Sequence, residues 1–309
     1  MSTTTTTKRL NNRPAHSPRQ PHITFPGLAR VDGSALFAFS PSPPPTSSPN
    51  SPSLFSSGPS ALASLTGPIE VRLALENPSH ATLEVLVRPL SNVPATQAKA
   101  LAAAVRTVLA PSVLGSMLPR TLVQLVVQIL SAGGQGKREG AGAGAGVGEM
   151  GVMAAAVNAS TLALLNAASV PMRGVVCAVA VGLLHGARGR EEDGLVVDPD
   201  ERDGPLDAEG CFAYMYTRDA GGDVHAKCVW TDWRATGGPG EMYEAGAEVL
   251  QRAREAGERG AREVYEAVYA SVERMGTKEK VPTVAAVVRK DVEMEEMEEP
   301  GEEEEEMEI

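Results

Sequence analysis

The chain has 309 residues, enough for one large domain or two small ones. Aromatic residues make up only 4% of it, so its core must be built mainly from Ala, Val and Leu. The net charge is −11, yet residues 291–309 carry one Asp and eleven Glu, and without them 27 acidic residues face 28 basic ones. The acidity therefore belongs to the C-terminal tail, and the body of the chain does not repel nucleic acid by its charge.

Cysteine and histidine usage indicates neither crosslinks nor a metal site. The three cysteines form no close pair, so we expect neither a disulfide framework nor a zinc site. This usage fits a protein of a reducing compartment. These cysteines are Cys177, Cys211 and Cys228. The five histidines show no metal-ligand spacing; they are His16, His22, His80, His185 and His225. We therefore expect no metal and no other cofactor.

Three segments have the composition of unstructured chain. Residues 1–25 lack the apolar core of a signal peptide, and their prolines oppose the amphipathic helix of a transit peptide, so we expect disorder. Residues 41–59 are rich in Pro and Ser and are interpreted as an insertion in a surface loop. Residues 281–309 are expected to form a disordered acidic tail. No apolar run is expected to cross a membrane.

The first half of the folded region reads mainly as strands. A strand is expected after the turn sequence Asp32-Gly33-Ser34, and another ends at Gly67-Pro68-Ile69-Glu70. Residues 82–88 alternate between apolar and polar side chains, as a half-buried strand does. Residues 95–110 carry an apolar helical stripe that stops before Pro111. A β-prone strand then follows Leu118-Pro119-Arg120-Thr121.

Residues 133–148 contain eight glycines. A Gly-rich loop before a helix can hold a phosphate group on its backbone amides. No Gly-Lys-Ser/Thr sequence follows, so we favour a flexible insertion over a phosphate loop.

Residues 149–185 form the centre of the predicted fold. Met153–Leu165 holds five alanines and predicts a buried helix that ends before Pro171, and Gly174–Leu184 predicts a buried strand. Three further elements are expected: a strand at 194–199, a hairpin with arms at 211–217 and 225–231, and an amphipathic helix at 241–275.

Several short sequence motifs, in this order, resemble motifs of the RNase PH-like phosphorolytic family. They are Arg30-Val31-Asp32-Gly33-Ser34, Gly67-Pro68-Ile69-Glu70, Leu118-Pro119-Arg120-Thr121, Asn158-Ala159, Ala163–Ala167, Val170-Pro171-Met172 and Val181-Gly182-Leu183. The resemblance implies an α+β fold of two β-sheet layers with packed helices, similar to ribosomal protein S5 domain 2. It places an RNase PH-like domain at residues 26–280, interrupted by the two insertions at 41–59 and 133–148.

The resemblance also implies where a catalytic site would lie. Members that are active hold phosphate with a Thr-Arg pair at the start of the central helix and an arginine on the first long helix, since two polyanions must be neutralised. Here Val152 and Met153 stand in the place of the pair, and Thr96 in that of the helix arginine. None of the three can neutralise a phosphate, so no catalytic residue is predicted.

The family's acidic motif after the following strand is also incomplete. Its first and last acids correspond to Val196 and Arg202. Asp200 and Asp203 could replace them only if the loop shifted its register. Together with Asp198 and Glu201 they could also be taken for a metal cluster, but Pro199 favours a solvated turn.

With these departures, the resemblance implies a catalytically inactive subunit of the exosome ring. By resemblance it would join other RNase PH-like subunits in a hetero-hexamer, contact S1/KH cap proteins, and guide single-stranded RNA to a separate nuclease. Nucleus, nucleolus and cytoplasm are the expected locations. Two alternatives stay open: an active phosphate-dependent 3′-to-5′ exoribonuclease, and an unrelated α/β protein with an acidic interaction tail.

RNA guidance requires cations along the path of the phosphate backbone. By the family's layout, the helix at 95–110 and the turn at Arg120 lie near the channel or a subunit interface. The candidate RNA-binding residues are therefore Lys99, Arg106, Arg120 and Arg88.

Overall fold

The computed structural model describes residues 13–40, 58–91, 93, 95–133, 149–184, 194–200, 203, 206–235 and 246–276. The 41–57 part of the first insertion, residues 134–148 and the acidic tail lie outside these ranges. The chain divides into two compact units, residues 1–270 and 271–309. Of the second unit, the structure describes only residues 271–276, the end of a helix.

The first sheet has five strands and alternating burial. The strands are β1 (Pro21–Thr24), β2 (Gly33–Phe39), β3 (Pro59–Glu70), β4 (Thr82–Arg88) and β5 (Thr121–Ala132), in the order β1-β2-β3-β5-β4. Neighbours are antiparallel except β4 and β5, which are parallel. Every second residue of β3 and β5 is buried over most of their length, so one face of the sheet packs on the core.

Two helices contribute to that core. Helix α1 (Thr96–Leu109) contacts β4, and α2 (Glu149–Ala167) contacts β2, β3 and β5. Gly33 allows α2 to approach the sheet closely, because a Cβ at this position would overlap the carbonyl oxygen of Ala163. The glycine of the Asp-Gly-Ser phrase therefore serves helix–strand packing as well as a turn.

The second sheet is buried on both faces at its two central strands. Its strands are β6 (Val175–Leu184), β7 (Leu195–Val197), β8 (Leu206–Arg218) and β9 (Val224–Ala235), all antiparallel in the order β7-β6-β8-β9. Helix α2 contacts β6 and β8. Residues of α3 (Gly246–Gly276) cover the opposite face, where Gly257 lies against Phe212 and Gly260 against Val179. This double cover explains why β6 is apolar without alternation.

Asn158 explains the polar position in the middle of the apolar helix α2. Its buried side-chain amide donates to the carbonyl oxygen of Ala178 (2.9 Å) and accepts from the N–H of Ala178 (2.8 Å). The helix thus satisfies backbone groups of β6 that would otherwise be buried without partners.

The predicted α+β fold of two sheet layers is confirmed, as are the central helix and strand, the 82–88 strand, the 95–110 helix and the hairpin. All three cysteines are free, and burial raises the pKa of the Cys177 and Cys211 thiols.

Two expectations were wrong. Residues 13–25 are not disordered, since they include β1 and the buried Arg19. The first insertion ends earlier than expected, because Pro59 begins β3.

Helix α2 is long and apolar enough by composition to cross a membrane, but most of it is buried inside the protein, as in a core helix.

Candidate functional site

A groove of about 380 Å³ lies where the first turns of α1 and α2 meet the C-terminal end of β4. Val152 and Met153, which the resemblance matched to a phosphate-binding pair, both line it. Thr96, which was matched to the helix arginine, is the first residue of α1 and precedes the lining residue Gln97. Two of the three matched positions therefore line one groove, and the third is adjacent in sequence to a lining residue.

The walls of this groove are mainly aliphatic. Its apolar lining includes Val87, Leu101, Ile129, Met150, Val152 and Met153. Aliphatic side chains provide neither the positive charge nor the hydrogen-bond donors that a phosphate group requires. The aliphatic walls of the groove therefore do not provide the chemistry of a phosphate site.

One guanidinium, that of Arg234 on β9, reaches the rim. Its Nη2 and Nε donate to the two carboxylate oxygens of Asp232 at 2.8 and 3.2 Å, and its Nη1 donates to Glu149 at 3.1 Å. Among the described lining residues Arg234 is the only Lys or Arg, and it faces two carboxylates. Glu149 also stands in the first turn of α2, where a carboxylate offsets the positive end of the helix dipole.

The surroundings hold Arg234 in its charged form. The hydrogen bonds to Asp232 raise the pKa of Arg234 above its ordinary value, against the opposing effect of partial burial. The charges of Asp232, Glu149 and Glu209 act in the same direction as those hydrogen bonds. This cation is therefore neutralised within the protein and is not poised to receive an oxyanion.

Asp198, the middle acid of the incomplete motif, forms a buried cluster with two N-terminal arginines. Arg19 donates to its carboxylate through the backbone N–H (2.9 Å), Nε (2.7 Å) and Nη2 (2.7 Å). Arg13 adds a hydrogen bond from Nη1 at 3.2 Å. Only 1% of the Asp198 side chain is exposed. The expectation of a solvated turn is wrong for this residue, because its charge is matched internally.

The ionised form of Asp198 prevails in this environment. Burial alone raises the pKa of the carboxyl group, but the charge and hydrogen bonds of Arg19, assisted by Arg13, outweigh that effect and hold the pKa below its ordinary value. Asp198 is thus a carboxylate sequestered from solvent and has no access to a substrate.

Asp200 and Asp203 close the turn that follows. The Asp203 carboxylate accepts from the Asp200 N–H at 2.8 Å, and the Asp203 N–H donates to the Asp200 carbonyl oxygen at 3.0 Å. Within the described ranges, no group of three His, Cys, Asp or Glu side chains has the arrangement of a metal site.

The predicted RNA-binding residues do not line the groove. Lys99 and Arg106 are exposed on α1 and, seven residues apart, share one face. Gln97, Leu101 and Ala104 line the groove from the opposite face of that helix. The structure therefore separates the cationic face of α1 from its groove face.

The two other candidates lie apart from this pair on different elements. Arg88 is exposed at the end of β4. Arg120 precedes β5 and forms an ion pair with Glu76 at 3.2 Å. A partner of this kind weakens the case for Arg120 as a phosphate ligand.

Residues 19–169 match the family model described as the 3′ exoribonuclease family, domain 1. This similarity covers just under half of the 309 residues. The protein named exosome complex component RRP46 of Saccharomyces cerevisiae is 28% identical over 138 residues, 45% of this chain and 55% of that protein. Exosome complex component rrp46 of Schizosaccharomyces pombe is 30% identical over 118 residues, 38% of this chain and 45% of that protein. The chain thus spans about half the length of the curated relatives it matches.

Solved structures extend the likeness in fold beyond the matched residues. The crystal structure of rice (Oryza sativa) Rrp46 aligns with a TM-score of 0.63 at 18% identity and covers 86% of this chain and 100% of that chain. An archaeal exosome core aligns with a TM-score of 0.54 at 16% identity and covers 85% and 91%. The second sheet and α3 therefore complete an RNase PH-type fold.

Sequence reasoning missed the residues that organise both charged sites of this RNase PH fold. Arg13 and Arg19 lie in a segment expected to be disordered, and Arg234 lies beyond the predicted hairpin arm at 225–231, in the part of β9 that the prediction left out. The alternation of Ile23 and Phe25 with polar neighbours was an available signal for ordered chain before residue 25. No local signal could pair Arg19 with Asp198, because the two residues are 179 positions apart.

Proposed function

We propose that this protein is a non-catalytic structural subunit of an RNA exosome ring. In this role it supports 3′-to-5′ RNA processing, including rRNA maturation and RNA turnover, by helping to thread single-stranded RNA to a separate nuclease. The observation that carries the proposal is the aliphatic groove at the position of the family's phosphate site. The two relatives named as exosome components support it.

The chemistry of phosphorolysis explains why this groove matters. Orthophosphate must attack the phosphorus of a phosphodiester and displace the 3′ oxygen of the preceding nucleotide, so the enzyme has to bring two anions together and neutralise them. Val152 and Met153 supply no donor, and Arg234 is held by two carboxylates. Asp198 is enclosed by Arg13 and Arg19. Each group that the reaction would require is either replaced or engaged in the fold.

Activity is tested with the purified full chain, a single-stranded RNA oligomer and orthophosphate. We expect no release of nucleoside diphosphates above the level of a protein-free control. Phosphate-dependent shortening of the oligomer would reinstate the alternative of an active exoribonuclease and would direct attention to Asp200 and Asp203.

The proposed partners are other RNase PH-like subunits in a hetero-hexamer and S1/KH cap proteins. Both curated relatives reported above carry the name RRP46, ribosomal-RNA-processing protein 46, so we propose pairing with the type named ribosomal-RNA-processing protein 43. The proposed locations are nucleus, nucleolus and cytoplasm. Affinity purification of the tagged full chain, with mass spectrometry of the co-purified proteins, tests this assembly. Recovery without any RNase PH-like subunit would contradict it.

The proposed RNA contact is the cationic face of α1. Lys99 and Arg106 are exposed on one side of the helix, about 10 Å apart along its axis for seven residues at 1.5 Å each. Two such cations can follow a phosphate backbone, and each contact makes binding more sensitive to salt. Arg88 and Arg120 are secondary candidates.

The test replaces both Lys99 and Arg106 with Glu in the reconstituted ring and measures RNA affinity against salt concentration. We expect weaker binding and a log–log salt slope that is smaller by about 0.7 for each lost contact with a single strand. Lys227→Glu, at an exposed position of β9, serves as the matched control. An unchanged slope in an intact ring would remove both residues from the site.

A further inference from the structure

We propose that the groove between α1 and α2 is a docking site for a short protein segment in which a Lys or Arg stands beside aliphatic residues. The segment belongs to a partner protein. This inference rests on the proposed non-catalytic role, because a groove that holds orthophosphate could not hold such a segment.

The size and lining of the groove fit aliphatic side chains. Its volume of about 380 Å³ lies within the range of protein ligand sites, roughly 300–1,000 Å³. Val87, Leu101, Ile129, Met150 and Met153 face it. Methionine side chains adapt to irregular partners and are common at peptide-binding surfaces. Leu90, which also lines the groove, is 56% exposed and would be covered by an occupant.

The net charge at the groove rim determines whether a cationic or an anionic side chain of the segment is favoured there. Glu149 and Asp232 oppose the single cation Arg234, which leaves one negative charge in excess among the lining residues. The helix dipole at the start of α2 offsets about half of a charge. A cationic side chain is therefore attracted to this rim and an anionic one is repelled.

Two methionine residues on the groove wall can report binding in the groove through their methyl NMR signals. Met150 and Met153 line the groove, whereas Met117 lies in the turn before β5, is 65% exposed and is absent from the lining. Full-length protein labelled with ¹³C at the methionine methyl groups would therefore separate groove binding from binding elsewhere. Met150→Leu and Met153→Leu variants assign the two signals.

The probes are the tripeptides N-acetyl-Leu-Leu-Arg-amide and N-acetyl-Leu-Leu-Glu-amide, which differ only in the charge of one side chain. We expect the Arg peptide to shift the Met150 and Met153 signals saturably and to leave Met117 unchanged. The Glu peptide should bind at least about tenfold more weakly, since attraction at the rim becomes repulsion. Equal binding of the two peptides, or no shift with either, would overturn the proposal.

A matched pair of variants tests the location. Ala100 is exposed and lines the groove, whereas Ala103, about one turn further along α1, is exposed and does not line it. Ala100→Trp should abolish the shifts and Ala103→Trp should preserve them. If Ala100→Trp does not fold, Gln97→Trp occludes the groove from the same helix. Shifts that persist in an occluded variant would place the peptide elsewhere and contradict the proposal.

Orthophosphate forms the third arm of the experiment. Saturable shifts of Met150 and Met153 with orthophosphate would contradict the proposed non-catalytic function together with the docking site. Absence of shifts with both orthophosphate and the Arg peptide would contradict the docking site alone and leave the ring proposal to the affinity purification.

Discussion

Two arginine–carboxylate clusters in this protein use the same chemistry in different surroundings. In the first, Arg19 and Asp198 are 7% and 1% exposed, and Arg13 adds a second guanidinium. In the second, Arg234 and Glu149 at the groove rim are 50% and 39% exposed. Water screens the rim cluster and compensates for a lost partner, whereas the buried cluster has no such substitute. We therefore expect the first to matter for folding and the second for the electrostatics of the groove.

The clearest way to test this difference is Asp198→Ala. The substitution leaves two guanidinium groups without their carboxylate, and removing one partner of a buried ion pair typically costs about 3–5 kcal/mol. Chemical denaturation of both proteins measures the free energy of unfolding. Asp223→Ala, at an exposed hairpin position, is the control and should change it by less than about 0.5 kcal/mol. A loss below about 1 kcal/mol in Asp198→Ala would refute the difference between the clusters.

Lowering the pH should reduce the contribution of the buried Asp198–Arg19–Arg13 cluster to the free energy of unfolding. Because the folded state holds the pKa of Asp198 below its ordinary value, its contribution to stability is complete above the unfolded pKa of about 3.9 and is lost as pH falls below it. Unfolding free energies of wild type and Asp198→Asn are compared between about pH 6 and pH 3. We expect the wild type to fall more steeply, by up to about 1.4 kcal/mol per pH unit. Parallel curves would show that Asp198 does not titrate in this way.

Removing one charged side chain from the rim cluster should change the free energy of unfolding only slightly. Arg234→Ala removes an ion pair that is half exposed, and such pairs contribute about 0–1 kcal/mol. Denaturation at low and high salt checks this expectation, since the small contribution should shrink further as salt increases. A loss above about 2 kcal/mol would mean that the rim cluster also supports the fold.

The smallest effect is expected from the first insertion. Replacing residues 41–57 with a short Gly-Ser linker keeps Gly58, whose backbone packs beside Arg19. Loop-closure entropy depends only slowly on length, so stability should change by less than about 1 kcal/mol. Thermal unfolding of the shortened chain measures the change. A large loss would connect the insertion to the buried cluster.

The sequence by itself determined most of the secondary structure and the fold class. Burial on one face shows as alternation in β4, and burial on both faces shows as the unbroken apolar run of β6. Helix α2, whose only charged residue is Glu149, and the proline after it could likewise be recognised locally. The sequence also predicted apolar residues where the resemblance expects a phosphate-binding pair, and the structure places both of them, Val152 and Met153, in the groove lining.

Only the tertiary structure decided the state of the charges. Whether Asp198 is solvated depends on Arg13 and Arg19 from the far end of the chain, and whether Arg234 is available depends on Glu149 of another element. Which face of α1 lines the groove, and which remains a cationic surface, is determined only when α2 and β4 pack beside this helix. Local patterns reflect burial because it recurs with the period of a helix or strand, whereas an ion pair depends on which distant segments meet.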